Sequence, residues 1–168
     1  MTLPLEILLI RLRNELEACR AYLPIDFDMG EGHLSAFPLK VDIKLDRTPG
    51  PVMEGGKLVY RYHHHLQLII GREYPFEKPL IIWRTPIFHP NIMMPEDGGH
   101  VCIKLLSEWS FNSTLSTFIK GLESLLMAPN GGSPFGTDTC TAAAQYFNSC
   151  ERRTPPIVVA PTPKVVRP

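Results

Sequence analysis

The chain has no excess of either charge: 17 Lys and Arg stand against 17 Asp and Glu in 168 residues. This removes the usual electrostatic case for nucleic acid as a partner, which needs a basic domain or stripe. Any charged partner must be met by a local patch instead. Cysteine is scarce. The four present, Cys19, Cys102, Cys140 and Cys150, form no C-x-x-C pair, and the first residues lack a signal-peptide pattern. Free thiols in a reducing cytoplasm are therefore the simpler expectation. No apolar run is long enough to span a membrane, because the N-terminal Leu/Ile stretch is broken by Pro4, Glu6 and Arg11. Internal repeats are absent. What is present is 44% apolar residues, enough for one buried core in a single domain. Proline crowds the last segment at Pro155, Pro156, Pro161, Pro163 and Pro168. Such density opposes both helix and central strand. The expected division is a core domain over residues 1–153 and an extended, disordered tail over 154–168.

Residues 4–22 have the period of an amphipathic helix, with Leu5, Leu8, Leu9, Leu12 and Leu16 on one face and Glu6, Arg13, Glu17 and Arg20 on the other. Pro4 suits the first turn and Pro24 marks the end. Ile7 and Ile10 widen the apolar face, for which deeper packing is the expected reason. Residues 37–82 change to a period of two. Leu39, Val41, Ile43 and Leu45 alternate with Lys40, Asp42 and Lys44, a second alternating run covers 58–70, and a third strand covers 80–83. Thr48-Pro49-Gly50-Pro51 and Gly55-Gly56 are expected turns. Short turns between close strands predict an antiparallel meander of about four strands. Residues 86–112 are irregular but rich in large apolar side chains, so they are expected to be ordered and functional. A second helix follows, capped by Thr114, burying Leu115, Phe118, Ile119, Leu122, Leu125 and Leu126, and ended by Pro129. Gly131-Gly132-Ser133-Pro134 is a turn. A third helix is expected over 138–150, with Asp138 as its cap.

Cys102 bears most on function. It follows Phe88-His89-Pro90-Asn91, a polar stretch and a Gly98-Gly99 turn. A thiol can be a nucleophile, and the Asn91 amide can donate to an oxyanion if the loop folds back. Taken alone, Cys102 is more simply read as a small buried hydrophobe. A thiol hydrolase would need a histidine base, and only His100 stands close in sequence. His63-His64-His65 places two imidazoles on one strand face. Two ligands do not close a zinc site, so a solvated strand face is expected and no metal. Cys140 and Cys150 lie about three helical turns apart, too far for a disulfide, and are expected to pack, as is Cys19.

The pieces Tyr74-Pro75-Phe76, Pro79, His89-Pro90-Asn91, Val101-Cys102, Trp109-Ser110, Thr114-Leu115-Ser116 and Leu125-Leu126 to Pro129-Asn130 occur in this order between a first helix and a last one. Together they resemble the ubiquitin-conjugating enzymes, over about residues 11–147; any one alone would be weak. The resemblance implies an α+β fold with a meander sheet backed by helices, its C-terminal helical part shortened. It also implies that Cys102 accepts ubiquitin or a ubiquitin-like modifier as a thioester from an activating enzyme, which spends the ATP, so that no cofactor is needed. Transfer to a substrate lysine follows, usually with a RING-type ligase. Asn91 would stabilise the oxyanion or hold the loop, with His89 and Pro90 bracing it. Ser133 would orient the incoming lysine without supplying charge. Arg11 matches a position that meets the activating enzyme. Phe76 and Ser110 match ligase-facing positions, and Phe111 replaces the family's usual proline. The loop before Cys102 is longer than usual, and Lys104 stands where many members have Asp. The other class left open is a non-catalytic ubiquitin-binding or scaffold module on the same fold; retention of Cys102 with Asn91 argues against it.

Overall fold

The computed structural model describes residues 1–21, the backbone of 25–26, and residues 37–102, 104 and 108–149. The expectations for the tail and for Cys150 lie outside these residues.

The first helix, α1, covers Leu5–Arg20, with Pro4 just before it, Glu6 in its first turn and Arg20 in its last. Those charges oppose the partial charges of the helix ends. Its buried stripe is Leu8, Leu12, Leu16 and Cys19, a spacing that keeps one line of side chains on one face. Ile7 and Ile10 do not join it. They are 53% and 61% exposed, and Leu5 is exposed as well. The expected deep packing is therefore wrong at Ile7 and Ile10. The helix has a core on one side only, and its flank turns these residues to solvent.

The sheet is four-stranded and antiparallel. Strand β1 is Ile25–Asp26, β2 Leu39–Leu45, β5 His64–Ile70 and β6 Leu80–Trp83, in the order β1-β2-β5-β6. Between β2 and β5 in sequence lies a separate hairpin, β3 Gly50–Glu54 with β4 Lys57–Arg61. The single alternating run expected over 58–70 is thus two strands with different partners, broken at Tyr62-His63. Alternation alone does not report a change of partner. Gly55 and Gly56 make the hairpin turn, both at positive φ, as glycine permits. Gly50 and Pro51, expected in a turn, open β3 instead. Pro51 is tolerated because a two-stranded sheet leaves each strand an unpaired edge. At Gly50 a Cβ would run into the His64 ring and Leu126.

Helix α2, Leu115–Met127, is capped by the Thr114 side chain in a reciprocal box with Thr117, and buries all six residues expected of it. Its apolar face meets α1 and the inner sheet face of Val41, Ile43, Leu66, Leu68 and Trp83 in one core. Helix α3, Asp138–Ser149, buries Cys140, Ala143 and Ala144. The Thr137 hydroxyl, not Asp138, accepts the Cys140 N–H at 3.1 Å and caps it. Asp138 is already inside the first turn. Phe88 packs against Tyr146 and Phe147, so α3 backs the segment that follows β6.

The irregular segment is ordered by backbone pairing. Ile92 bridges Val101, His100 bridges Ile82, and the Trp83 N–H donates to the Gly99 carbonyl at 2.7 Å. A 3-10 turn at Pro95–Asp97 reverses the chain between them. Gly99 is at positive φ and would press a Cβ into the Trp83 backbone, so the turn needs glycine there.

Candidate active site

Three elements converge on Cys102. The first is the buried His89-Pro90-Asn91 segment. His89 Nε2 lies 2.8 Å from the Leu125 carbonyl of α2, and its Nδ1 accepts the Asn91 N–H at 3.0 Å. These partners fix the neutral tautomer with the proton on Nε2. Burial pushes the imidazole down to about 4. His89 therefore ties α2 to the loop as a neutral group.

The second is Asn91, fully buried. Its side-chain Nδ2 donates to the Asn130 carbonyl at 3.0 Å and the Ser133 carbonyl at 3.1 Å, while Oδ1 accepts the Asn130 N–H at 2.8 Å. Both amide protons are engaged in holding the 130–133 loop. The Asn91 carbonyl in turn accepts the Cys102 N–H at 2.9 Å, and the Pro90 carbonyl accepts the Phe135 N–H at 3.0 Å. One residue thus pins the thiol-bearing strand through its backbone and the facing loop through its side chain.

The third is that loop. Ser133 is exposed, and Asn91 holds its carbonyl while its hydroxyl has no partner among the described residues. Asn130 Oδ1 accepts the Gly132 N–H at 3.0 Å, and Asn148 of α3 donates to the Gly131 carbonyl at 3.2 Å. A Cβ at Gly131 would strike the Asn148 amide. Asn130 and Asn148 were not among the expected site residues. The Asn130-Gly131-Gly132 turn was a usable signal for the first; nothing local marks the second.

Cys102 itself is partly exposed, whereas Cys19 and Cys140 are buried. No imidazole is hydrogen-bonded to it among the described residues: the His89 ring is occupied, and no bond joins the His100 ring to the thiol. The hydrolase arrangement of thiol and base is not formed. Of the histidine triplet, His64 is buried with Nε2 at 2.6 Å from the Arg61 carbonyl, while His63 is exposed and His65 pairs with Asp42 at 3.4 Å. Among the described residues no group of three or more metal-ligating side chains is assembled, and no helix is long and apolar enough to cross a membrane.

The expected partner-facing residues form a second cluster. Arg11 donates to the carbonyls of Phe111 at 2.8 Å and Ser113 at 2.9 Å, and its guanidinium lies 5.0 Å from the Phe111 ring centre. Phe111 packs on Phe76 with ring centres 5.2 Å apart. The Ser110 N–H donates to the Ser113 hydroxyl at 2.9 Å. Tyr74, next to this cluster, donates to Glu15 at 2.6 Å, and burial with that hydrogen bond pushes its phenol up. Arg11, Phe76, Ser110 and Phe111 are brought together, with Arg11 holding the loop rather than standing free. Ile7 and Ile10 line a shallow groove alongside, with Asn14 and Thr114.

Comparison with known proteins bears directly on this arrangement. The family model described as "Ubiquitin-conjugating enzyme" matches residues 51–154. The chain is 39% identical over 103 residues to the ubiquitin-conjugating enzyme E2-20 kDa of Schizosaccharomyces pombe, covering 60% of this chain and 56% of that one. It is 33% identical over 99 residues to ubiquitin-conjugating enzyme E2 T of Xenopus laevis, covering 54% and 50%. The alignments thus span about half the length of these curated relatives. Among solved structures, S. cerevisiae Ubc12 superposes with a TM-score of 0.61 at 25% identity, over 86% of this chain and 71% of that one. With the expected α+β architecture found and the family model covering most of the chain, this protein belongs to the ubiquitin-conjugating enzyme family.

Proposed function

We propose that Cys102 carries ubiquitin or a ubiquitin-like modifier as a thioester and passes it to a substrate lysine. The thiolate attacks the thioester carbonyl presented by an activating enzyme. One C–S bond forms as another breaks, so the exchange is nearly balanced in energy. A lysine amine then attacks the same carbonyl, an amide forms, and the Cys102 thiolate leaves. ATP is spent upstream, and no resident cofactor enters either step. The work is intracellular, on the cytoplasmic side.

One observation carries this reading: the single partly exposed thiol among the described cysteines sits where Asn91 joins the two loops. Asn91 acts by holding the 130–133 loop, because its donors are spent on loop carbonyls. Ser133 offers a hydroxyl without a partner among the described residues to orient the acceptor amine, and His89 and Pro90 brace the loop. Arg11 is a positioning residue that presents Phe111, with Phe76 and Ser110, to the activating enzyme and a RING-type ligase. The partly exposed Cys102 supports a carrier over a binding module.

The test is incubation with an activating enzyme, ATP and candidate modifiers, followed by a non-reducing gel. A reductant-sensitive adduct that vanishes in Cys102→Ala is expected. No adduct with any modifier sinks the carrier reading.

A further inference from the structure

Helix α3 is fixed at both ends to the segment that carries His89-Pro90-Asn91. Near its start the Cys140 thiol donates to the Ile92 carbonyl at 3.6 Å, and at its end Tyr146 and Phe147 pack on Phe88. Its last turn also carries Asn148, whose amide donates to the Gly131 carbonyl at 3.2 Å. Asn91 holds the 130–133 loop only at its two ends, through Asn130 and Ser133. Between them stand Gly131 and Gly132, and glycine has the freest backbone of any residue. The Gly132 N–H is taken up by Asn130 Oδ1 within the loop itself. Among the described residues, Asn148 is therefore the side chain from outside the loop that holds its middle, and it does so from an anchored helix. Its amide fills the space that a side chain at position 131 would need. A line of hydrogen bonds thus leads from the Cys102 N–H through Asn91 and the loop to α3.

We propose that Asn148 is a positioning residue for the transfer step: it fixes the middle of the loop, and with it the path by which an acceptor lysine reaches the Cys102 thioester. This rests on the carrier reading above. In that step the neutral lysine amine attacks the thioester carbonyl. A C–N bond forms, the C–S bond breaks, the amine proton goes to solvent, and Cys102 departs as thiolate. Asn148 touches none of these atoms and acts through the loop. Ser133 follows the two glycines directly, so the direction of its hydroxyl depends on where the Gly131-Gly132 backbone sits. Without Asn148 the ends of the loop stay pinned by Asn91, while its middle samples several conformations. The arrangement competent for amine attack is then diluted. Loading of Cys102 differs, because the thiol-bearing strand is held by the Asn91 carbonyl and not by the middle of the loop. The two half-reactions should therefore separate at this residue.

The experiment loads the full chain with ubiquitin, or with the ubiquitin-like modifier it accepts, using an activating enzyme and ATP. Loading is then stopped, and discharge is followed with free lysine or with hydroxylamine, a small nucleophile that needs no orientation by the loop. Asn148→Ala removes the amide, Asn148→Asp keeps its size without the donor, and Asn148→Gln keeps the donor. All three should load and melt as the wild type does, since the bond lies at the surface. Discharge to lysine should fall by about fivefold or more in the Ala and Asp variants, while discharge to hydroxylamine is unchanged. The Gln variant should recover most of the lysine rate. Wild-type discharge to lysine in Asn148→Ala, an equal fall with both nucleophiles, a loss of loading in the variants, or a Gln variant no better than Asp overturns the proposal and leaves the carrier reading standing. Failure of the wild type to form any thioester overturns both.

Discussion

Asn91 and Arg11 perform the same operation in two places. Each is a side chain that holds a neighbouring loop by two loop carbonyls: Asn130 and Ser133 for Asn91, Phe111 and Ser113 for Arg11. They differ in burial. Asn91 is fully enclosed, while the Arg11 side chain is about one-fifth exposed and reaches an exposed loop. The loop partners of Asn91 are themselves part-buried, but a hydrogen bond made from an enclosed side chain is harder for water to replace than one made at the surface. The site loop is therefore held rigidly, and the partner surface is held in a form that can yield. That division suits the proposed thioester, which would need fixed geometry, and the proposed partner face.

The comparison is tested most severely at Asn91. Asn91→Ala removes the side-chain partner of two carbonyls and one N–H, all part-buried, and should lower stability by roughly 3 kcal/mol. Chemical denaturation would read this. At a temperature where the variant stays folded, thioester loading should persist while discharge to free lysine falls by about tenfold or more. Discharge at the wild-type rate would remove the loop-holding role.

The next effect comes from His89. Its folded pKa, about 4, lies below the ordinary 6.5, so the unfolded chain takes up the proton first. The stabilisation is complete above about pH 6.5 and is lost as pH falls towards 4, on the order of 3 kcal/mol. His64, also pushed down by burial, acts in the same direction. The difference between wild type and His89→Gln therefore isolates the residue. The wild-type melting temperature should fall more steeply than the variant's between those pH values, and parallel curves would contradict a buried neutral imidazole.

The smallest change is expected at Arg11. Arg11→Ala should cost only about 1 kcal/mol, since the freed carbonyls meet solvent. Its mark should be a raised KM for the activating enzyme with the chemical step at Cys102 unchanged. A stability loss as large as that of Asn91→Ala would erase the contrast between the two regions.

Much of the architecture was legible because it follows periodicity. The stripe of α1, the alternation of β2 and the six buried residues of α2 are all local patterns. The readings that failed concern what a pattern meets. The break at Tyr62-His63 is invisible in the alternation, because β4 and β5 keep a strand period while changing partners. Ile7 and Ile10 have core chemistry but lie on a flank that is exposed among the described residues. Thr137 displaced Asp138 as cap by one position, a shift that local composition cannot resolve.

The site divides in the same way. The order of Tyr74-Pro75-Phe76, His89-Pro90-Asn91 and Cys102 pointed to the family and nominated a candidate nucleophile, since a linear motif survives in a linear string. The tertiary structure decided what each residue touches. Asn91 has its donors turned to the 130–133 loop, His89 is enclosed and neutral, and Arg11 is spent on Phe111 and Ser113. Hydrogen-bond partners across 36 to 102 positions of chain are set by packing, and no local pattern encodes them. The exposure of Cys102 beside buried Cys19 and Cys140 is likewise a property of the folded surface and not of the thiol.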